Sequence, residues 1–385
     1  MKRLFAILFA LILLALAYVQ WLLPGQVESG MNGRLEHAPH RVSEAAAGLH
    51  RSLFVADLHS DSLLWKRDLA ERATRGHMDV PRLHDGNVAL QVFSATTKSP
   101  KGQNYEENTA DSDQLTGLVM AQLWPPRTWG SIYERAVYQL EKLQDLAART
   151  DLSLVTSKRD VEELVAARVA GEQTIGAVYL IEGGHPLEGD VDKLDQLYDQ
   201  GLRIIGLTHF FDNELGGSLH GISGAGLTDF GRQVVERANE LGLIIDIAHS
   251  SPTMVREVLA MSDRPLILSH GGLKGHCDTA RNLSDELMLE FAGHGGLLGV
   301  GFWDAAVCDP SPAGVVGALR YAIDLLGVEH VALGSDYDGA TAVTFDIGEI
   351  AVLTDEMLRQ GFTEEEIRLV MGENVQRFIL ENLPD

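Results

Sequence analysis

Residues 53–65 read LFVADLHSDSLLW, an apolar run that finishes on an imidazole and a carboxylate, His59 and Asp61. Side chains two apart on an extended chain project to the same face, so a strand ending here delivers both groups to one point. Alone, the pattern also fits a surface turn whose Asp caps a helix. The rest of the chain decides. Seven further runs rich in Val, Ile and Leu follow: VALQVFSAT (88–96), AVYLIEGG (177–184), LRIIGLTH (202–209), LGLIIDIAH (241–249), PLILSH (265–270), GLLGVGFW (296–303) and EHVALGSDYDG (329–339). Between them lie segments with a 3.6-residue apolar period, such as TDFGRQVVERANELG and SDELMLEFAGHGG, each opening near a Ser or Thr and closing on Gly. Parallel strands covered on both faces are apolar throughout, so eight such runs alternating with helices predict an α/β fold, a (β/α)8 TIM-type barrel.

The polar residues of these runs stand at their ends: His59 and Asp61, then Glu182, His209, His249, His270 and Asp336. In a parallel barrel all C-terminal strand ends share one rim, where the active sites of this fold are built. Taken singly, each residue has an ordinary alternative as a hydrogen-bonded rim residue or a turn cap. Seven metal-competent side chains at matching ends of six strands point instead to a metal centre. The set exceeds what one cation needs and suits two Zn2+ joined by a bridging carboxylate. Serines lie beside histidines in LHSDS and SHGG, but no nucleophile-elbow pattern accompanies them.

The stretches DLHSD, IEGG, LTHFFDN, DIAHSS, LSHGG, RNLSDE and GSDYDG, in that order over roughly residues 45–380, resemble the membrane (renal-type) dipeptidase family of zinc peptidases, family M19, among the amidohydrolase-like barrels. The resemblance implies a zinc-dependent dipeptidase acting on dipeptides, and leaves open whether those with a C-terminal D-residue are among them. It places His59 and Asp61 on one zinc, His249 and His270 on the other, and Glu182 between them. Asp336 then moves the proton, His209 faces the substrate, and Arg281 holds the substrate carboxylate; the residue-level alternative for Arg281 is a pair with Asp285. The resemblance further implies a Cys277–Cys308 disulfide bracing the Arg281 loop. The expected partners are a dipeptide substrate, the membrane and a second copy of the chain. GFWDAAVCD after the seventh strand departs from mammalian relatives, so Trp303 and Asp304 are expected to reshape the pocket. Another binuclear amidohydrolase, acting on an N-acyl amino acid, lactone or phosphotriester, is the main rival. Such relatives usually carry His-x-His and a bridging carboxylated Lys, whereas this chain has His59-x-Asp61 and Glu182. A non-catalytic membrane-anchored binding protein would not need Asp336 together with a bridging Glu.

The formal net charge of -24 argues against nucleic acid as a partner, which requires clustered Lys and Arg. After Lys2 and Arg3 the chain is apolar from Leu4 to Leu23 except for Gln20. That length suffices to cross a bilayer, and the positive-inside rule leaves the residues beyond Pro24 outside the cytoplasm. A cleaved signal peptide with a site at Ala15-Leu16-Ala17 is the alternative, giving a secreted enzyme; an uncleaved anchor is favoured because cleavage there exposes YVQWLLP. The expected organisation is an anchor or signal segment over residues 1–24, a polar linker over 25–44, and the barrel over 45–385 with an insertion at about 98–172.

Overall fold

The computed structural model describes residues 2–385. Eight parallel strands run in chain order around a barrel: β1 (Val55–Asp57), β2 (Val88–Thr96), β3 (Ile175–Glu182), β4 (Leu202–Gly206), β5 (Ile244–Asp246), β6 (Ile267–Gly271), β7 (Leu297–Val300) and β8 (Val331–Leu333). Each pairs with the next, and each coincides with one of the eight apolar runs. The longest ladder, β2 with β3, runs from Leu90 opposite Gly176 to Thr96 opposite Glu182. Between β8 and β1 the barrel is drawn shut by few bonds. Leu58 N–H donates to the Leu333 carbonyl at 3.0 Å, and Asp61 N–H to that of Tyr337 at 2.9 Å. The Asp57 carboxylate accepts from the Ser335 N–H at 2.7 Å and its hydroxyl at 2.8 Å. The result is a nearly closed TIM-type barrel.

Alternation along the strands sorts the core into two layers. Ala56, Leu90, Val178, Ile204, Ile244, Ile267, Leu297 and Ala332, one from each strand, form a single buried cluster. This is the barrel interior, closed at its foot by Val375, Phe378 and Ile379 of the helix Asn374–Asn382. Neighbouring strand residues such as Phe93, Tyr179, Ile205, Ile245, Leu268 and Leu298 belong to the outer cluster with the flanking helices. Helix starts follow the expected chemistry: Thr228 and Ser284 each accept a backbone N–H of the first turn of Asp229–Leu241 and Asp285–Gly293. The long interval after β2 supplies the helix Ile132–Arg149, then a strand Leu152–Leu154 paired with the start of β3, then the helix Lys158–Val169.

The N-terminal helix Lys2–Ala17 has no buried residue and continues through a wider turn, Tyr18–Leu22, into Leu23–Met31; it is long and apolar enough to cross a membrane. The polar stretch after it is docked rather than free over its first part, because Glu28 is fully buried against Arg67 and Arg75. Gly33–Arg34 then pairs with Ala342–Val343 beyond β8. Cys277 and Cys308, on the loops after β6 and β7, form a disulfide with their Cα atoms 5.5 Å apart.

Phe378 is 6% exposed and lies in the interior cluster, remote in the fold from the rim residues. Phe378→Ala is expected to lower unfolding free energy by about 3 to 4 kcal/mol through the lost transfer energy and the cavity left behind. Chemical denaturation should show a lower midpoint while metal binding by the folded fraction stays unchanged.

Candidate metal centre

Three of the site's polar groups are the continuation of the interior stripe. Leu90 and Val92 lead to Thr96 at the end of β2, Val178 and Leu180 to Glu182 on β3, and Ile244 to Asp246 on β5. The loops beyond the strand ends add His59, Asp61, His209, His249 and Asp336, and β6 itself carries His270. All seven metal-competent rim residues are buried. Two pay for their placement in backbone conformation: His249 (φ 61°) and Asp336 (φ 59°) are left-handed, a region non-glycine residues seldom occupy. The His249 carbonyl is fixed by the Leu219 N–H at 2.7 Å and the Thr208 hydroxyl at 2.9 Å.

Glu182 is the hub. Its Oε1 lies 3.5 Å from His59 Nε2, 3.3 Å from His249 Nε2 and 3.6 Å from His270 Nε2. Its Oε2 lies 3.3 Å from His209 Nε2. Asp61 Oδ1 is 3.7 Å from His59 Nε2, and the Nε2 atoms of His249 and His270 are 2.9 Å apart. The Thr96 hydroxyl stands 2.8 Å from both Asp61 Oδ1 and Glu182 Oε2, which holds these carboxylates in register. Ligand atoms fall into groups within 4.8 Å of one another: His59, Asp61 and Glu182; His59, His270 and Asp336; Glu182, His209 and His249.

Whether this set fits divalent cations can be judged from the shell behind it. The Ser269 hydroxyl donates to Asp246 Oδ2 at 2.6 Å and lies 3.1 Å from His59 Nδ1 and 2.9 Å from His270 Nδ1. Its one proton being given to Asp246, its lone pairs accept the Nδ1–H of both rings, which aims both Nε2 atoms at the carboxylates. Among the described residues, buried His59 Nε2 and His249 Nδ1 have no hydrogen-bond partner. The field there is strongly negative. Burial opposes charge on His59, yet Asp61, Glu182 and Asp336 push it up to about 10. Burial, and the neighbouring Asp61 and Glu182, hold Asp336 well above the usual carboxylate range. His249 and His270 are driven well below theirs by burial and by nearby cations, which keeps them neutral donors. Neutral imidazoles at His249 and His270 beside clustered carboxylates are what a site for divalent cations needs.

Arg281 is 2% exposed and opens on the same pocket. It donates to the His270 carbonyl at 2.6 Å and lies over the Trp303 ring at 5.4 Å. Among the described residues it has no carboxylate partner within salt-bridge distance, and its Nε is unbonded. Asp285, its candidate surface partner, is engaged by the Tyr321 hydroxyl at 2.5 Å and the Gly275 N–H at 2.9 Å. The disulfide, together with Asn282 bonded to the Cys277 and Ala306 carbonyls at 2.9 and 2.8 Å, fastens the Arg281 loop to the loop after β7.

A profile described as membrane dipeptidase (peptidase family M19) matches residues 43–382. The chain belongs to the membrane dipeptidase family. Dipeptidase 3 of Mus musculus is 27% identical over 369 residues, covering 88% of this chain and 66% of that protein, so the chain spans about two thirds of that relative's length. Two solved structures share the fold. The probable dipeptidase PvdM from Pseudomonas aeruginosa superposes with a TM-score of 0.71 at 19% identity, covering 88% of this chain and 98% of its own. A metallo peptidase from Rhodobacter sphaeroides, liganded with a phosphinate mimic of the dipeptide L-Ala-D-Ala, gives 0.67 at 23% identity, with coverages of 86% and 99%.

Within this membrane dipeptidase family member, sequence reasoning missed four contributors. Thr96 ends its run like the ligands do but carries a hydroxyl, which does not mark it as a metal-competent group. Asp246 was legible as an ionisable group inside the apolar run LGLIIDIAH, and Ser269 precedes His270 directly. Tyr105, from the insertion, accepts from Trp303 Nε1 at 2.9 Å across the pocket, and no local pattern marks it.

Ser269→Ala removes the acceptor shared by His59 and His270 and is expected to weaken metal affinity by about 10- to 100-fold, the usual cost of losing an outer-shell partner. Competition against a chromogenic chelator measures it, with far-ultraviolet circular dichroism unchanged.

Proposed function

We propose that this chain is a zinc-dependent dipeptidase holding two Zn2+ ions, with His59 and Asp61 on one, His249 and His270 on the other and Glu182 between them. The observation that carries the reading is one carboxylate within 3.3 to 3.6 Å of three imidazole nitrogens, beside a buried arginine without a carboxylate partner among the described residues. Cations bound there supply Lewis acidity and lower the pKa of a bound water from that of bulk water to about 7.

The chain's own groups do the rest. Arg281 receives the substrate's terminal carboxylate through two parallel N–H donors, a geometry that selects substrates ending one residue beyond the scissile bond. His209 points its Nε2 toward the cluster and serves as donor to the oxygen that gains charge as the carbonyl is attacked. Asp336, held in its left-handed turn beside His59 and His270, takes the proton of the attacking water and returns it to the leaving amine. The Trp303 and Tyr105 pair covers the cleft and limits water. The same reading takes in dipeptides ending in a D-residue, the class mimicked by the ligand of the Rhodobacter relative. It places the barrel outside the cytoplasm on an uncleaved N-terminal anchor, and the chain as a homodimer. A lactone or phosphotriester would have no use for Arg281, which favours a substrate ending in a free carboxylate over those two classes.

Two measurements test this. Glu182→Gln is expected to lose both metals and activity together in elemental analysis and assay; a fully loaded, active variant sinks the bridging role. Arg281→Leu should lose about 30- to 1,000-fold in kcat/KM on a free dipeptide, equivalent to about 2 to 4 kcal/mol, while keeping its zinc. It should also lose the wild-type preference for the free acid over the C-terminally amidated dipeptide. Wild-type indifference to amidation would instead favour the wider amidohydrolase reading.

A further inference from the structure

The loop after β8 holds Asp336 in place, and much of what holds that loop comes from the far end of the chain. Three of its residues, Asp336, Asp338 and Ala340, are left-handed without being glycine. Gly339 lies so near the site that a Cβ there would stand 2.0 Å from Asp336 Oδ1 and 2.9 Å from Asp61 Oδ2. Such a conformation persists only when its surroundings fix it. The Asp338 carboxylate is fully buried and accepts from Arg67, from the Ser62 hydroxyl and from the His77 N–H at 2.7 Å. Trp65 Nε1 donates to the Asp338 carbonyl at 2.7 Å.

Arg67 is in turn set by Glu28, whose two oxygens each lie 2.6 Å from a guanidinium Nε, of Arg67 and of Arg75. Glu28 belongs to the helix Leu23–Met31, directly continuous with the apolar anchor and outside the residues 43–382 that carry the family likeness. Beyond it, the Asn32 side chain accepts the Ala340 N–H at 2.8 Å, Leu35 N–H donates to the Val343 carbonyl at 2.8 Å, and Met31 lines the pocket beside Asp336 and Gly339.

We propose that Glu28 is a positioning residue: the juxtamembrane helix Leu23–Met31 clasps the catalytic loop through Glu28, Arg67 and Asp338, so that the anchor's last turns hold Asp336 in its working place. The proposal rests on the dipeptidase reading for Asp336's role, but the clasp itself is independent of the substrate. Glu28, Arg67 and Asp338 form a buried run of alternating charges, and the half-buried Arg75 ends it. Removing one carboxylate frees Arg67 to move, and a small misplacement of a proton-transfer group costs far more in turnover than in binding.

The test uses the full chain in detergent micelles. Glu28→Gln keeps the side-chain volume, and kcat on a free dipeptide is expected to fall about tenfold with KM within about twofold and zinc loaded at the start. Zinc loss to excess dipicolinate should be several-fold faster. In Glu28→Gln with Arg67→Met the loss should be no larger than in Arg67→Met alone, because one acts through the other. Asn32→Ala unpairs no buried charge and tests the hold of the same helix end on the loop, with a smaller effect on zinc loss, should Glu28→Gln not fold. Retention of zinc as in wild type, or additive losses in the double variant, overturns the clasp. Absence of dipeptide hydrolysis by the wild type would overturn the dipeptidase reading instead, and the zinc-loss rates then decide the clasp alone.

Discussion

A barrel of eight strands has one place where the first and last must meet, and here that seam is held by the Asp57 carboxylate, bonded to both the N–H and the hydroxyl of Ser335. The acid is fully buried, and burial lifts it to about 6 although Ser335 and Gln91 pull the other way. A buried acid without those donors would cost several kcal/mol. The seam matters beyond stability because Asp57 stands two residues before His59 and Ser335 one before Asp336. The Ser335 hydroxyl also lies 3.0 Å from the His59 carbonyl. Closing the barrel and bringing the His59 turn against the Asp336 turn are therefore one event.

Around that event the site is organised in successive shells. Asp246 orients Ser269, which orients two imidazoles; Thr96 holds two carboxylates; only then come the ligand atoms. Each shell is buried, so the hydroxyls and carboxylates behind the ligand atoms find their partners within the protein, which makes the network exacting. On the opposite wall the loops after β6 and β7 are tied by a covalent bond and by Asn282. Arg281 is thereby held by its neighbours instead of by an acid, which leaves its charge to face the pocket.

The strands were legible because a buried parallel strand has no polar face to confuse the pattern, and the rim residues were legible because each interrupts an apolar run at its end. Reading Arg281 needed the family resemblance, since an arginine beside a helix cap reads as an ordinary surface pair. Ser269 and Thr96 carry no such signal: a hydroxyl is at home in any strand, and its function lies in which rings and acids the fold brings beside it. Tyr105 and Glu28 were the least visible. Both lie in polar segments whose composition reads as insertion or linker, and their partners, Trp303 and Arg67, are 198 and 39 residues away along the chain.

The continuity of the N-terminal helix sets a height. From Leu23 to Met31 it has 9 residues, which at a rise of about 1.5 Å per residue is no more than about 14 Å along its axis. With the apolar segment before it seated in a bilayer, the lip of the pocket at Met31 stands within that distance of the lipid surface, under two Debye lengths at physiological ionic strength. At the far end of that range a headgroup potential would be mostly screened, so the cleft would meet close to bulk ion concentrations while staying within reach of the lipid surface itself.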